Sequence, residues 1–129
     1  MNEELGMNKS NLIADKSMAF AIRIVNLYKY LVKNHSEYVL SKQLLRRGTS
    51  IGANVSESIY AQTRADFNSK MYIALKEASE SAYWLELLER AEYLTTAQAK
   101  SIRDDCNELI KILSSITKTT KENISRNNS

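Results

Sequence analysis

The sequence predicts an all-α protein, an up-and-down antiparallel four-helix bundle. Three observations carry that prediction. The 129-residue chain contains no proline and only three glycines, well below what a turn-rich β-sandwich or barrel uses. Ala, Leu, Glu, Lys and Arg make up 43% of the chain, close to their share in long helices. Apolar residues recur at steps of three and four through four segments separated by short polar breaks. The length suits one domain, assigned to residues 11–120. Residues 1–10 and 121–129 are expected to be disordered, being short, polar and terminal.

The first helix is expected from about Leu12 to Asn34. Met18, Ala21, Val25, Tyr28 and Val32 form one apolar row, and Phe20, Ile24, Leu27 and Leu31 form an adjacent one. Asn34, His35 and Ser36 make the break, with Ser36 as the cap of the next helix and Glu37 in its first turn. The second helix is expected from about Glu37 to Gln62, with Leu40, Leu44, Gly48, Ile51, Val55 and Ile59 as its stripe. The third runs from about Asp66 to Glu92, striped by Phe67, Met71, Ala74, Ala78, Ala82, Leu85 and Leu88. Thr95 and Gln98 read as a capping box for the fourth, which continues to about Thr119. There Ile102, Cys106, Leu109, Leu113 and Ile116 follow heptad spacing. Short connections between long helices force neighbours to run antiparallel.

Several function classes are disfavoured. One cysteine, Cys106, allows no internal disulfide, and its place on an apolar stripe reads as a small buried hydrophobe. A di-metal carboxylate bundle needs Glu-x-x-His on two helices. The single histidine, His35, falls in a predicted loop, so no metal site and no cofactor are expected. Gly48 to Gly52 lacks the Lys-Ser/Thr ending of a phosphate loop and follows a helical pattern rather than a strand. No apolar run is long enough to span a membrane. The acidic N-terminus has no apolar core of a secretory signal, so a cytoplasmic location is expected.

Two rows on the second helix stand out. Gly48, Gly52 and Ser56 make a ridge of small groups, although glycine inside a helix costs about 1 kcal/mol against alanine. Gln43, Arg46 or Arg47, Ser50, Asn54 and Glu57 make a polar stripe. The two rows cannot both face one core, so one of them is expected to meet another helix or a subunit. On the third helix, Lys70, Glu77 and Glu80 share a polar row. Nothing nearby supplies a nucleophile for the two glutamates, so ion pairing with Arg46 or Arg47 is expected.

The net charge is a mild +3, with a pI near 9.0. It is unevenly placed: the first two helices are basic and the third is acidic. A basic face attracts phosphates. Lys42, Arg46, Arg47, Arg23 and Lys29 are the candidate nucleic-acid contacts, and only one of Arg46 and Arg47 can join the polar stripe, since they point 100° apart.

The run QLLRRGTSIGANVSESIYAQTRADFNSKMYIALKEASESAYWLELL, Gln43 to Leu88, resembles the 23S rRNA intervening-sequence protein family, as does DKSMAFAIRIVNLYKYL, Asp15 to Leu31. The resemblance implies an up-and-down four-helix bundle in a closed homo-oligomeric ring, a pentamer in structurally known relatives. It implies no catalytic activity. A more distant relative, the accessory variability determinant of diversity-generating retroelements, is thought to bind nucleic acid.

The expected function is therefore a non-enzymatic oligomer with sequence-independent RNA or DNA association. The alternative is an oligomeric scaffold that binds a protein partner, with no nucleic-acid role. A small hydrolase-like enzyme has little support.

Overall fold

The computed structural model describes the backbone of residues 2–128 and the side chains of residues 9–126. Four helices follow in order: α1, Asn2–His35; α2, Val39–Ser58; α3, Arg64–Arg90; and α4, Thr96–Asn128. Helix α1 packs on α2, α2 on α3, α3 on α4, and α4 closes back on α1. This is the up-and-down bundle that the short connections predict. The helices enter both terminal segments for which disorder is expected, α1 from Asn2 and α4 as far as Asn128. Residues 1 and 129 lie outside the described residues.

The core is a seam of buried side chains from all four helices. In α1 it uses Ile13, Ser17, Phe20, Ile24, Leu27 and Leu31. The second of the two apolar rows is thus the core row, while Met18 of the first is 62% exposed. In α2 the row begins at Ser41 rather than Leu40, and ends at Ser58. Ile59 lies past the end of α2 and is exposed. In α3 Ser81, not Ala82, is buried. In α4 the heptad Ile102, Cys106, Leu109, Leu113 and Ile116 is buried throughout. The core hydroxyls bond to their own helices: Ser17 donates to the Ala14 carbonyl, Ser58 to that of Val55, Ser81 to that of Glu77 and Thr117 to that of Leu113. Such back-bonding removes the cost of burying an unpaired hydroxyl.

The α1–α2 turn differs from its expected form. Ser36 does not cap α2. It takes a left-handed conformation (φ 50°) that ends α1, with the Ser36 amide on the Val32 carbonyl and the Glu37 amide on that of Leu31, both at 3.2 Å. Glu37 does the capping. Its carboxylate accepts from the amides of Val39 (3.0 Å), Leu40 (2.8 Å) and Ser41 (2.7 Å). Burial pushes this carboxyl up. The amide bonds from Leu40 and Ser41, the Ser41 side chain and the Val39 amide outweigh that and hold it below its usual range. A serine side chain is too short to reach three successive amides, whereas a buried glutamate does so. The other two starts are simpler. Thr63 accepts from the Asp66 amide at 3.0 Å, and Thr95 and Gln98 form the reciprocal capping box.

The small ridge lies between α2 and α1 of the same chain. Gly48 is buried, and a Cβ there would stand 2.8 and 2.9 Å from the γ-carbons of Ile24. Only glycine lets the helices approach this closely. At Gly52 a Cβ would meet Ser17 at an ordinary 3.6 Å. Ser56 is exposed.

Candidate nucleic-acid interface

The five candidate cations divide into two groups. Arg47 turns inward across the α2/α3 seam. Its guanidinium bonds to Glu77 at 3.2 and 3.3 Å and, through Nε, to Glu80 at 3.0 Å. Glu77 is only 12% exposed, so this pair is partly desolvated and stronger than a free surface bridge. Arg23 turns toward α4, where it bonds to Asp105 at 2.5 Å and to the carbonyl and hydroxyl of Ser101. Both arginines are committed to holding helices together.

Lys29, Lys42 and Arg46 are exposed, and among the described residues they form no ion pair. The Gly48–Ile24 contact sets their relation. From it, Lys29 lies roughly one and a half turns further along α1, and Lys42 roughly one and a half turns back along α2. The two lysines are therefore level on neighbouring helices, both turned away from the core rows. Arg46 follows one turn after Lys42 on the same outer face. Lys33, one turn after Lys29, is exposed and without an ion pair as well, a fourth cation that the sequence reading did not select.

The polar stripe of α2 also divides. Glu57 reaches across to Lys70 of α3 at 3.0 Å. Ser50 donates to the Arg46 carbonyl and Asn54 to the Ser50 carbonyl, so both return to their own helix. Gln43 and Ser56 face solvent. Ridge and stripe are thus accommodated within one chain, the first by α1 and the second, through Arg47 and Glu57, by α3. Neither requires a subunit.

Other chemically capable groups are occupied. Cys106 donates its thiol hydrogen to the Ala78 carbonyl at 3.2 Å, and burial pushes the thiol up to about 12. It stays neutral and packs as a hydrophobe. His35 ends α1 with its ring edge-on to Tyr30 (5.5 Å) and Tyr93 (5.7 Å). No group of three His, Cys, Asp or Glu residues is placed to hold a metal among the described residues. A surface depression of about 630 Å³ between α3 and α4 is bordered by Tyr83 and contains the four charged residues Glu86, Lys100, Arg103 and Asp104. All four are already in ion pairs, Arg90–Glu86, Lys100–Asp104 and Arg103–Glu89. No helix among the described residues is long and apolar enough to cross a membrane.

The sequence reading missed the outer surface of α3. Tyr72 and Tyr83 are 61% and 59% exposed, Ile73 is partly so, and Lys76 lies between the tyrosines. Their spacing of four and seven was the available signal. Tyrosine's mixed character concealed it, because the same spacing also suits a core stripe.

The family model for the 23S rRNA-intervening sequence protein matches residues 9–115. A crystal structure from Bacteroides thetaiotaomicron, described as a protein with unknown function from the S23 ribosomal protein family, is 59% identical. The match covers 85% of this chain and 98% of that one, with a TM-score of 0.84. A search of the curated proteins finds no match. With the family model spanning most of the bundle and a solved relative of the same helical fold, the chain belongs to the 23S rRNA-intervening sequence protein family.

Proposed function

We propose that this protein is a non-enzymatic, self-associating bundle that holds nucleic acid by its phosphates, through the outer face of the α1–α2 hairpin. The observation that carries this reading is the contrast among cations. Arg23 and Arg47 are used between helices, whereas Lys29 and Lys42 stand level with Arg46 one turn beyond, all three exposed and without ion pairs among the described residues. Cations left without protein partners are free to replace the counterions of a phosphate backbone. The sequence carries no base-reading motif, so the proposed binding is largely independent of sequence. The words 23S rRNA in the family's description make RNA the first nucleic acid to test.

Self-association supplies the affinity that a few cations lack. A homo-oligomer, a pentameric ring in this reading, repeats the basic face on one particle, and weak phosphate contacts add. Exposed Met18 and Ile22 on α1 provide apolar surface for such contacts. The same residues favour the second reading, an oligomeric scaffold for a protein partner. With a single free thiol and no need of an oxidising compartment, the proposed setting is the cytoplasm.

Fluorescence anisotropy with labelled RNA and DNA, across a series of salt concentrations, tests the reading. Affinity should fall steeply with salt and drop at least tenfold in Lys42→Glu/Arg46→Glu. Arg47 is left intact because its loss would disturb the α2/α3 seam. Light scattering should give a mass several times 14.7 kDa. No binding at low salt, or affinity indifferent to the charge reversal in an assembled variant, favours the scaffold.

A further inference from the structure

The acidic helix α3 carries an outward face that is not acidic. Glu77 and Glu80 are turned into the α2 seam by Arg47, Glu89 into the α4 seam by Arg103, and Glu86 is paired with Arg90. Asp66 lies in the first turn, and along the middle of the helix the outward residues are Ser69, Tyr72, Ile73, Lys76, Ser79 and Tyr83; Lys76 has no ion pair among the described residues. The Arg47–Glu77 bond fixes the register with α2. Arg46 precedes Arg47 and Lys76 precedes Glu77, so each is rotated by about 100° from a residue of that bond, to the outside. Arg46 and Lys76 therefore flank one ion pair on the solvent side. One turn before Arg46 comes Lys42, and Tyr72 and Tyr83 extend the surface along α3 in both directions.

From this arrangement we propose that the outer α2/α3 surface takes single-stranded nucleic acid, with Lys42, Arg46 and Lys76 on the backbone and unpaired bases stacked on Tyr72 and Tyr83. The inference rests on the nucleic-acid reading above and names its substrate class. Cations interleaved with exposed aromatic rings are what single strands need: the charges track the phosphates and each ring offers a face to any base. A duplex hides its base faces and would use the cations alone. A second copy of the chain is the less favoured occupant, because a contact centred on this surface would bury Lys76 without an opposite charge on the same face. Trp84 touches Tyr83 edge to face, with centroids 5.3 Å apart, so the chain's one tryptophan reports on the stacking site.

The experiment titrates full-length protein at low salt with a single-stranded uridine 20-mer and with an RNA duplex of equal length. Anisotropy and Trp84 fluorescence are both recorded. Wild type should bind the single strand at least tenfold more tightly than the duplex, with a fluorescence change for the single strand alone. Tyr72→Ala/Tyr83→Ala should lose roughly tenfold or more on the single strand and keep its duplex affinity. Tyr72→Phe/Tyr83→Phe, which retains the rings, should behave as wild type. If the alanine variant binds the single strand unchanged while Lys42→Glu/Arg46→Glu does not, the stacking inference is overturned and the phosphate reading stands. If the alanine variant instead lowers the light-scattering mass, the face joins copies of the chain and the inference is overturned. If wild type binds neither RNA, the nucleic-acid reading itself fails and takes the inference with it.

Discussion

Helix α1 has two neighbours, and it meets them by opposite means. Toward α2 it presents Ile24 to a glycine, at a distance no larger residue permits. Toward α4 it presents long charged side chains: Lys9 to Ser115 at 2.7 Å, Lys16 to Glu108, and Arg23 to Asp105 and Ser101. Beneath those bridges lies an apolar floor, where the buried side chains of Phe20 and Leu109 line the same small cleft as Lys16 and Glu108. The first seam is set by volume, the second by reach. A volume constraint is intolerant, because packed interiors absorb an added methylene poorly. A long, half-exposed ion pair is tolerant, because solvent and salt already share its charges.

Four single substitutions, one of them also combined with a change in its neighbour, break or sharpen that contrast. Leu109→Ala should have the largest effect, about 2–5 kcal/mol by urea unfolding, because the floor and not the bridges holds the α1/α4 seam. Gly48→Leu follows at about 1–3 kcal/mol from overfilling, and adding Ile24→Ala should recover part of that loss, the mark of a direct steric coupling. Arg23→Ala should cost below about 1 kcal/mol, and the cost should shrink in high salt. Gly52→Ala should be the mildest, neutral or stabilising by up to about 1 kcal/mol, because its added Cβ meets only an ordinary contact and alanine favours the helix. A Gly52→Ala variant as damaged as Gly48→Leu would show that the whole ridge, and not one glycine, sets the spacing.

The fold was legible because periodicity is a local property. The heptad from Ile102 to Ile116 needed nothing outside α4 to announce a buried row. In α1 two adjacent rows were both apolar, and only the positions of α2 and α4 decide that Phe20 goes inward and Met18 outward. Gly48 showed itself as a break in helix propensity, while the residue it accommodates, Ile24, belongs to another helix and could not be read from it. The candidate site was less legible for the same reason. Arg23 and Lys29 are alike in sequence, and what separates them is Asp105, distant in the chain. The choice between Arg46 and Arg47 was settled by Glu77 and Glu80 on the neighbouring helix. Charge identity is written locally, but whether a charge is free depends on its partners.

The turn around Glu37 bears on the order of events in folding. Every bond that shapes it, from the Leu31 carbonyl to the Ser41 amide, joins residues within about three helical turns. Closing so short a segment loses little chain entropy compared with bringing α4 back to α1. The α1–α2 hairpin is therefore the natural early structure, with the long closure onto α4 arriving late. Glu37→Gln should then slow refolding more than it speeds unfolding in stopped-flow chevrons, whereas Leu109→Ala should act mainly on unfolding. Acid should reproduce the first effect. The Glu37 carboxyl sits below its ordinary value in the native state, so its contribution is complete above that ordinary value of 4.5 and fades as the pH falls further. In wild type the refolding limb should fall on acidification by more than it does in Glu37→Gln, which has no proton to gain.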